Sequence, residues 1–271
     1  MEDVKRGRGG LRMPAIGLGT WKMRGRECID AVERAVEMGY RHVDTAQAYE
    51  NEDAVGNGLA NADVDREDVF LTTKVWRTEL GRDDVLRTTQ ESLERLGTDY
   101  VDLLLVHWPN EDVPLEETLE AMLALKEEGR VRHIGVSNFT VDLLRQALDV
   151  TDAIACNQVE MHPFQQQREM VEFCREHDMV LTAYSPLARG NVVENETLQR
   201  IGRRHDASAA QVALRWLIQQ EPVAGIPKAV PEEYQRENLA ALNVELDDEE
   251  MQAIFDIKHR SKFVDPGFAP W

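Results

Sequence analysis

Four residues of this sequence carry side chains that can hold or move a proton, and they stand at or just beyond the ends of apolar runs. Asp44 closes the short run around Val43 in GYRHVDTAQAYENEDAVG (residues 39–56), and Tyr49 follows five residues later, before a helix that starts near Asn51. Lys74 lies in LTTKVW and His107 in LLLVHWP. A phenol ionises near pKa 10 and is a poor acid or base at neutral pH unless its surroundings tune it. A neighbouring ammonium lowers that value, and a carboxylate beside the ammonium keeps it charged and in place. Asp44, Lys74 and Tyr49 are expected to form such a chain, with Tyr49 shifted downward and His107 completing the set. The product is a proton donor aimed at one oxygen, as reduction of a carbonyl requires.

Such a set is useful only if the fold brings the run ends to one rim. Strands are predicted over 16–19, 41–44, 69–75, 101–107, 131–137, 153–160, 179–184 and 223–227, alternating with helices. From Arg26, the spacing of Ile29, Val32, Ala35 and Val36 marks a helical face that Gly39 stops. Asp83 to Leu96 is predicted helical with Leu86, Thr89, Leu93 and Leu96 inward. VDLLLVH is a continuous apolar run, as in a parallel strand buried on both faces. Alternation of this kind implies parallel strands with right-handed crossovers. Eight units in 271 residues point to an α/β fold of the (β/α)8 TIM-barrel class, with a short N-terminal strand or hairpin and extra C-terminal helices. No linker, repeat or low-complexity tract divides the chain, so residues 1–271 are expected to be one domain. A doubly wound dinucleotide fold would carry GxGxxG after its first strand, whereas Gly17 and Gly19 give only GxG before Thr20 and Trp21. Barrel enzymes place their chemistry at the C-terminal ends of the strands, where Asp44, Lys74, His107, Ser137, Asn138, Gln158, Tyr184, Ser185 and Lys228 all fall.

The balance of charge narrows the partners. Asp and Glu number 50 against 31 Lys and Arg, a formal charge of -19, and only seven of the cations are lysines. That argues against a nucleic-acid partner, which needs a basic face, and against an anionic membrane. An acid-rich, lysine-poor surface suits a protein kept soluble in concentrated salt, where self-repulsion is screened. The three cysteines cannot make a disulfide framework and form no CxxC pair. No apolar signal segment and no membrane-length run occurs, so a monomeric protein of a high-salt cytoplasm is expected. A metal site built on His42, His107, His133 and His162 lacks any HxH or HExxH spacing, and no metal is expected.

Taken in order, GLGTW, GYRHVDTAQAYENEDAVG, LTTKVW, LLLVHWP, GVSNF, NQVE followed by HP, AYSPL and IPKAV resemble the aldo-keto reductases over essentially the whole chain. The resemblance implies a barrel that binds NADPH in extended form without a Rossmann motif and reduces small-molecule carbonyls. It implies Asp44, Tyr49, Lys74 and His107 as the catalytic four. Tyr184 matches the ring that stacks on nicotinamide, and Ser137, Asn138 and Gln158 match groups on its carboxamide. Thr20 joins the cofactor set, Ser185 and Leu187 match contacts to the pyrophosphate, Lys228 one to the 2′-phosphate, and Glu237 and Asn238 contacts to adenine. Trp21, Trp76 and Trp108 match walls of a substrate pocket, open except for a candidate lid over residues 261–271. Members that prefer NADPH commonly have serine after the IPK lysine and arginine a few residues on. Here Ala229 and Tyr234 stand at those positions, so NADH use is also expected.

Overall fold

The protein, described from a computed structural model, is defined over residues 3–271; Met1 and Glu2, within the expected domain, lie outside the described residues. The chain opens with an antiparallel hairpin, β1 (Val4–Gly7) and β2 (Leu11–Pro14). Eight parallel strands come next: β3 (Leu18–Gly19), β4 (His42–Asp44), β5 (Phe70–Val75), β6 (Val101–Val106), β7 (Val131–Ser137), β8 (Ile154–Glu160), β9 (Val180–Tyr184) and β10 (Val223–Gly225). They pair in chain order, and a parallel bridge from Ile16 to Gly225 brings the first back to the last. Gly17 N–H donates to Gly225 O at 2.9 Å, and Gly225 N–H to Ala15 O at 2.8 Å. Gly19 is required at this seam, because a Cβ there would lie 2.8 Å from Ile226 O.

The helices between strands are α1 (Gly25–Met38), α2 (Glu52–Asn61), α3 (Arg82–Leu96), α4 (Leu115–Glu127), α5 (Val141–Val150), α6 (Arg168–Glu176), and the pair α7 (Glu196–Arg204) and α8 (Ala209–Ile218). After β10 come α9 (Glu232–Ala240) and α10 (Asp248–Phe255). Sequence punctuation explains several ends. Gly39 takes φ 118° to close α1, and Ser208 with Gln211 and Asp247 with Glu250 form capping boxes that start α8 and α10.

The apolar runs divide by face. Leu103 and Leu105 of β6 point into the barrel with Phe70, Ala155, Val180 and Ala224, while Leu11 and Met13 of the hairpin plug that interior from below. Leu104 and Val106, one residue out of phase, pack under the helices. The expected barrel is thus observed, with small differences. On α3 the buried stripe runs through Val85, Thr88, Thr89, Ser92, Leu93 and Leu96, and Leu86, expected inward, is half-buried against the same core. The last strand ends at Gly225 rather than residue 227, since Pro227 has no N–H for the ladder; its carbonyl instead accepts from Gly19 N–H at 3.1 Å. Residues 188–194 form a 3-10 segment that apolar periodicity did not indicate.

Candidate active site

Parallel strands ending together bring the four proton-handling residues to one rim. Lys74 of β5 is fully buried; its Nζ donates to Asp44 Oδ1 at 2.6 Å and to Thr45 O at 2.8 Å. Its third direction leads to the Tyr49 hydroxyl, 3.5 Å away, which a 3-10 turn after β4 (Gln47–Tyr49) holds above it. The second Asp44 oxygen accepts from Gln158 Nε2 at 2.8 Å. His107 stands beside Tyr49 with ring centroids 5.6 Å apart, and Trp76 closes its other side at 5.1 Å.

Burial sets the protonation states here. It pushes the Tyr49 phenol well above its ordinary value, and the Asp44 carboxylate adds to that rise. The expected downward shift of Tyr49 is therefore corrected. Lys74 spends its close contacts on Asp44 and Thr45, and its distance from the phenol is too long to offset burial. Burial also pulls Lys74 down, against the opposing pull of Asp44. His107 is held well below the usual imidazole range by burial, then by the Lys74 charge, so its ring is neutral. Its Nδ1 is buried without a partner, which leaves Nε2 as the ring nitrogen able to reach a ligand. Tyr49 is thus a loaded phenol and His107 a neutral hydrogen-bonding ring.

These groups open onto a cavity of about 490 Å³ lined also by Thr20, Trp21, Trp76, Trp108, Ser137, Asn138, Gln158, Tyr184, Ser185 and Lys228. Lys74 lies beneath it. Thr20 is tied down by its N–H and hydroxyl, each 3.0 Å from Asp44 O. Asn138, in the left-handed region at φ 63°, spends its amide N–H groups on His107 O (2.9 Å) and Ser137 Oγ (3.1 Å). Its Oδ1 accepts from the Tyr184 hydroxyl at 2.8 Å, which fixes the tyrosine ring at the cavity wall. Leu187, Glu237 and Asn238 do not line this cavity: Asn238 is buried in α9, and Glu237 borders a separate surface depression with Gln211, Glu232, Glu233 and Arg236. The loop carrying Lys228 is anchored from behind, as Gln235 Nε2 donates to Ala229 O at 3.1 Å and Arg34 to Val230 O at 2.6 Å.

The C-terminal tail completes the wall. Phe263, Val264, Asp265, Pro266 and Phe268 line the cavity, all within the segment expected as a lid. Phe268 meets Trp108 and Trp76 edge-on at 5.4 and 6.1 Å, and Trp271 meets Trp108 at 5.6 Å. Arg189 also lines it, 5.9 Å from the Trp21 ring and 5.8 Å from Phe263; an arginine in a loop gives no sequence signal of its own. Among the described residues, no three His, Cys, Asp or Glu side chains converge to hold a metal.

The residues present fit a nicotinamide dinucleotide. Tyr184 offers a fixed ring face, the Gln158 amide lies at the cavity wall, and the exposed Lys228 makes no ion pair among the described residues. Comparison with known proteins points the same way. The model of the Aldo/keto reductase family matches residues 15–259. Methylglyoxal reductase DkgB of Escherichia coli O157:H7 is 41% identical over 265 residues, 96% of this chain and 99% of that protein. Glyoxal reductase of Bacillus subtilis (strain 168) is 40% identical over 268 residues, covering 98% and 96%. The crystal structure of MGS-M4, an aldo-keto reductase enzyme from a Medee basin deep-sea metagenome library, superposes with a TM-score of 0.92 at 36% identity, covering 96% and 97%.

Proposed function

Because this chain belongs to the aldo/keto reductase family and is an NAD(P)H-dependent oxidoreductase that reduces aldehydes and ketones, we propose that Tyr49 delivers the proton and His107 orients the carbonyl oxygen. When bound, the nicotinamide supplies a hydride to the carbonyl carbon. Tyr184 would hold its ring, Ser137, Asn138 and Gln158 its carboxamide, Ser185 and Leu187 the pyrophosphate, Lys228 a 2′-phosphate, and Glu237 and Asn238 the adenine. Tyr49 donates its phenolic proton to the carbonyl oxygen as charge builds there, and Lys74 stabilises the tyrosinate left behind. Asp44 and Thr45 fix Lys74 for that task, and His107 Nε2–H donates a hydrogen bond to the same oxygen. The observation that carries this reading is the buried relay Asp44–Lys74–Tyr49, at 2.6 and 3.5 Å, beside a neutral His107.

Small 2-oxoaldehydes are the proposed substrates. The relatives named above reduce methylglyoxal and glyoxal, and Trp21, Trp76, Trp108 and Phe268 leave a compact apolar pocket over the relay. NADPH is the proposed cofactor, with NADH also used. Neither Ala229 nor Tyr234 offers a phosphate-binding cation, and Arg236 is turned to Glu232 at 2.7 Å. Residues 1–271 are proposed to form one monomeric domain in a salt-rich cytoplasm. The charge of -19 supports the salt, and among the described residues the large exposed apolar side chains away from the cavity and tail are only Val150, Val193 and Tyr234. Among the described residues no helix is long and apolar enough to cross a membrane.

The test is a panel of aldehydes, ketones and 2-oxoaldehydes run with NADPH and NADH in parallel at high salt. Turnover of methylglyoxal or glyoxal with kcat/KM above that for simple ketones supports the assignment. Cofactor binding without turnover of any carbonyl overturns it.

A further inference from the structure

Glu160 ends β8 beneath the substrate pocket, and it is 2% exposed. A carboxylate in that position costs several kcal/mol of desolvation unless its oxygens are satisfied. Three donors satisfy it. Phe263 N–H donates to Oε1 at 2.7 Å and Val264 N–H to Oε2 at 2.9 Å, so the two oxygens grip successive amides of the C-terminal tail. His162 Nε2 donates to Oε1 at 3.0 Å. The ring is oriented for this, because Phe164 N–H donates to His162 Nδ1 at 3.2 Å, which places the proton of the neutral imidazole on Nε2. Ser261 N–H, donating to Phe164 O at 3.1 Å, begins the docking.

Beyond this clasp the tail runs directly into the pocket wall. Four to five residues further along, Phe268 lies against Trp76 and Trp108. Edge-to-face contacts of this kind contribute only about 0.5–1.5 kcal/mol each and would not by themselves order an eleven-residue tail, whose backbone costs about 1–2 kcal/mol per residue to fix. The charged acceptor is the strong contact in the tail, since hydrogen bonds to ionised groups are roughly twice as strong as neutral ones.

We propose that Glu160, held by His162, is a positioning residue that clasps the Phe263 and Val264 amides and thereby builds the Phe268 wall of the substrate pocket. It touches neither the reacting oxygen nor the relay, and its effect falls on substrate affinity and selectivity. The proposal rests on the reductase reading above, but its structural half can be tested without any turnover.

The experiment uses Glu160→Gln, which keeps the shape and presents an NH2 to one tail amide. Hydrogen exchange of the full-length protein should show Phe263 and Val264 amides losing protection by tenfold or more, with β5 and β6 unchanged. KM for a bulky aromatic aldehyde should rise about tenfold, with kcat within about threefold and NADPH affinity unchanged. Combined with Phe268→Ala the KM effect should be less than additive, since both changes remove one wall. Val264→Pro, which deletes one tail N–H and leaves the barrel untouched, repeats the test, read at the Phe263 amide alone, should Glu160→Gln fail to fold. Unchanged exchange at 263 and 264 overturns the clasp whatever the enzyme turns over. Lost protection with unchanged KM, or with additive effects, overturns its role in the pocket.

Discussion

Lys74 Nζ sits 2.6 Å from Asp44 Oδ1, and neither side chain is more than 1% exposed. A buried pair of this kind is weak as a source of stability but costly to break, because removing one partner strands the other charge. Lys74→Met should therefore destabilise the protein by about 3–5 kcal/mol, and Asp44→Asn by a similar amount. The double variant should cost clearly less than the sum, which urea denaturation of all three would show. Additive costs would mean the two residues act separately.

Tyr49→Phe removes the proposed donor and nothing else. Reduction should slow by about 10²–10⁴-fold, with NADPH affinity close to unchanged. Retention of more than about a tenth of the rate would assign the proton to another group. Since burial raises the phenol, wild-type kcat should show no loss from Tyr49 ionisation up to the ordinary phenol range near pH 10.

Acid should destabilise the fold through its buried imidazoles. Burial lowers His42 to about 4, with the ring fully enclosed in the barrel. Between the unfolded value near 6.5 and that folded value, the unfolded chain binds the extra proton, so stability is full above the window and falls as pH drops through it. One such group contributes a loss of about 1.5 kcal/mol between pH 6.5 and 5. His42→Gln should flatten that part of the stability curve by this amount; an unchanged slope would refute it.

The proposed cofactor preference rests on the loop after β10 and the start of α9. Ala229 lacks a hydroxyl, Tyr234 lacks a guanidinium, and Arg236 is committed to Glu232. A charged hydrogen bond contributes about 1.5–3 kcal/mol, so losing one erodes discrimination about tenfold or more. Wild type should prefer NADPH only modestly, and Ala229→Ser with Tyr234→Arg should raise that preference mainly through KM for NADPH. A wild-type preference beyond about a thousandfold in kcat/KM would show that these two positions carry no weight.

Salt should stabilise the protein, as the excess of 50 acidic over 31 basic residues is screened. The melting temperature is expected to rise between dilute buffer and molar KCl. A steady fall would remove the argument for a saline environment.

The architecture and the candidate site's cluster were legible in the chain because both rest on short-range regularities. Apolar runs as short as VDLLLV read as buried strands, their alternation with helices implies parallel pairing, and parallel strands deliver Asp44, Lys74 and His107 to one rim. That Val85 is buried more deeply than its neighbour Leu86 was not legible, since adjacent apolar residues fit one helical period nearly equally well. The features that tertiary structure alone decided lie in distances and in backbone groups. Tyr49 is raised rather than lowered because Lys74 stands 2.6 Å from Asp44 and 3.5 Å from the phenol, a difference no motif encodes. The tail reaches Glu160 through the amides of Phe263 and Val264, about a hundred positions along the chain. Every residue but proline owns such an amide, so a contact made through it leaves no mark in the sequence.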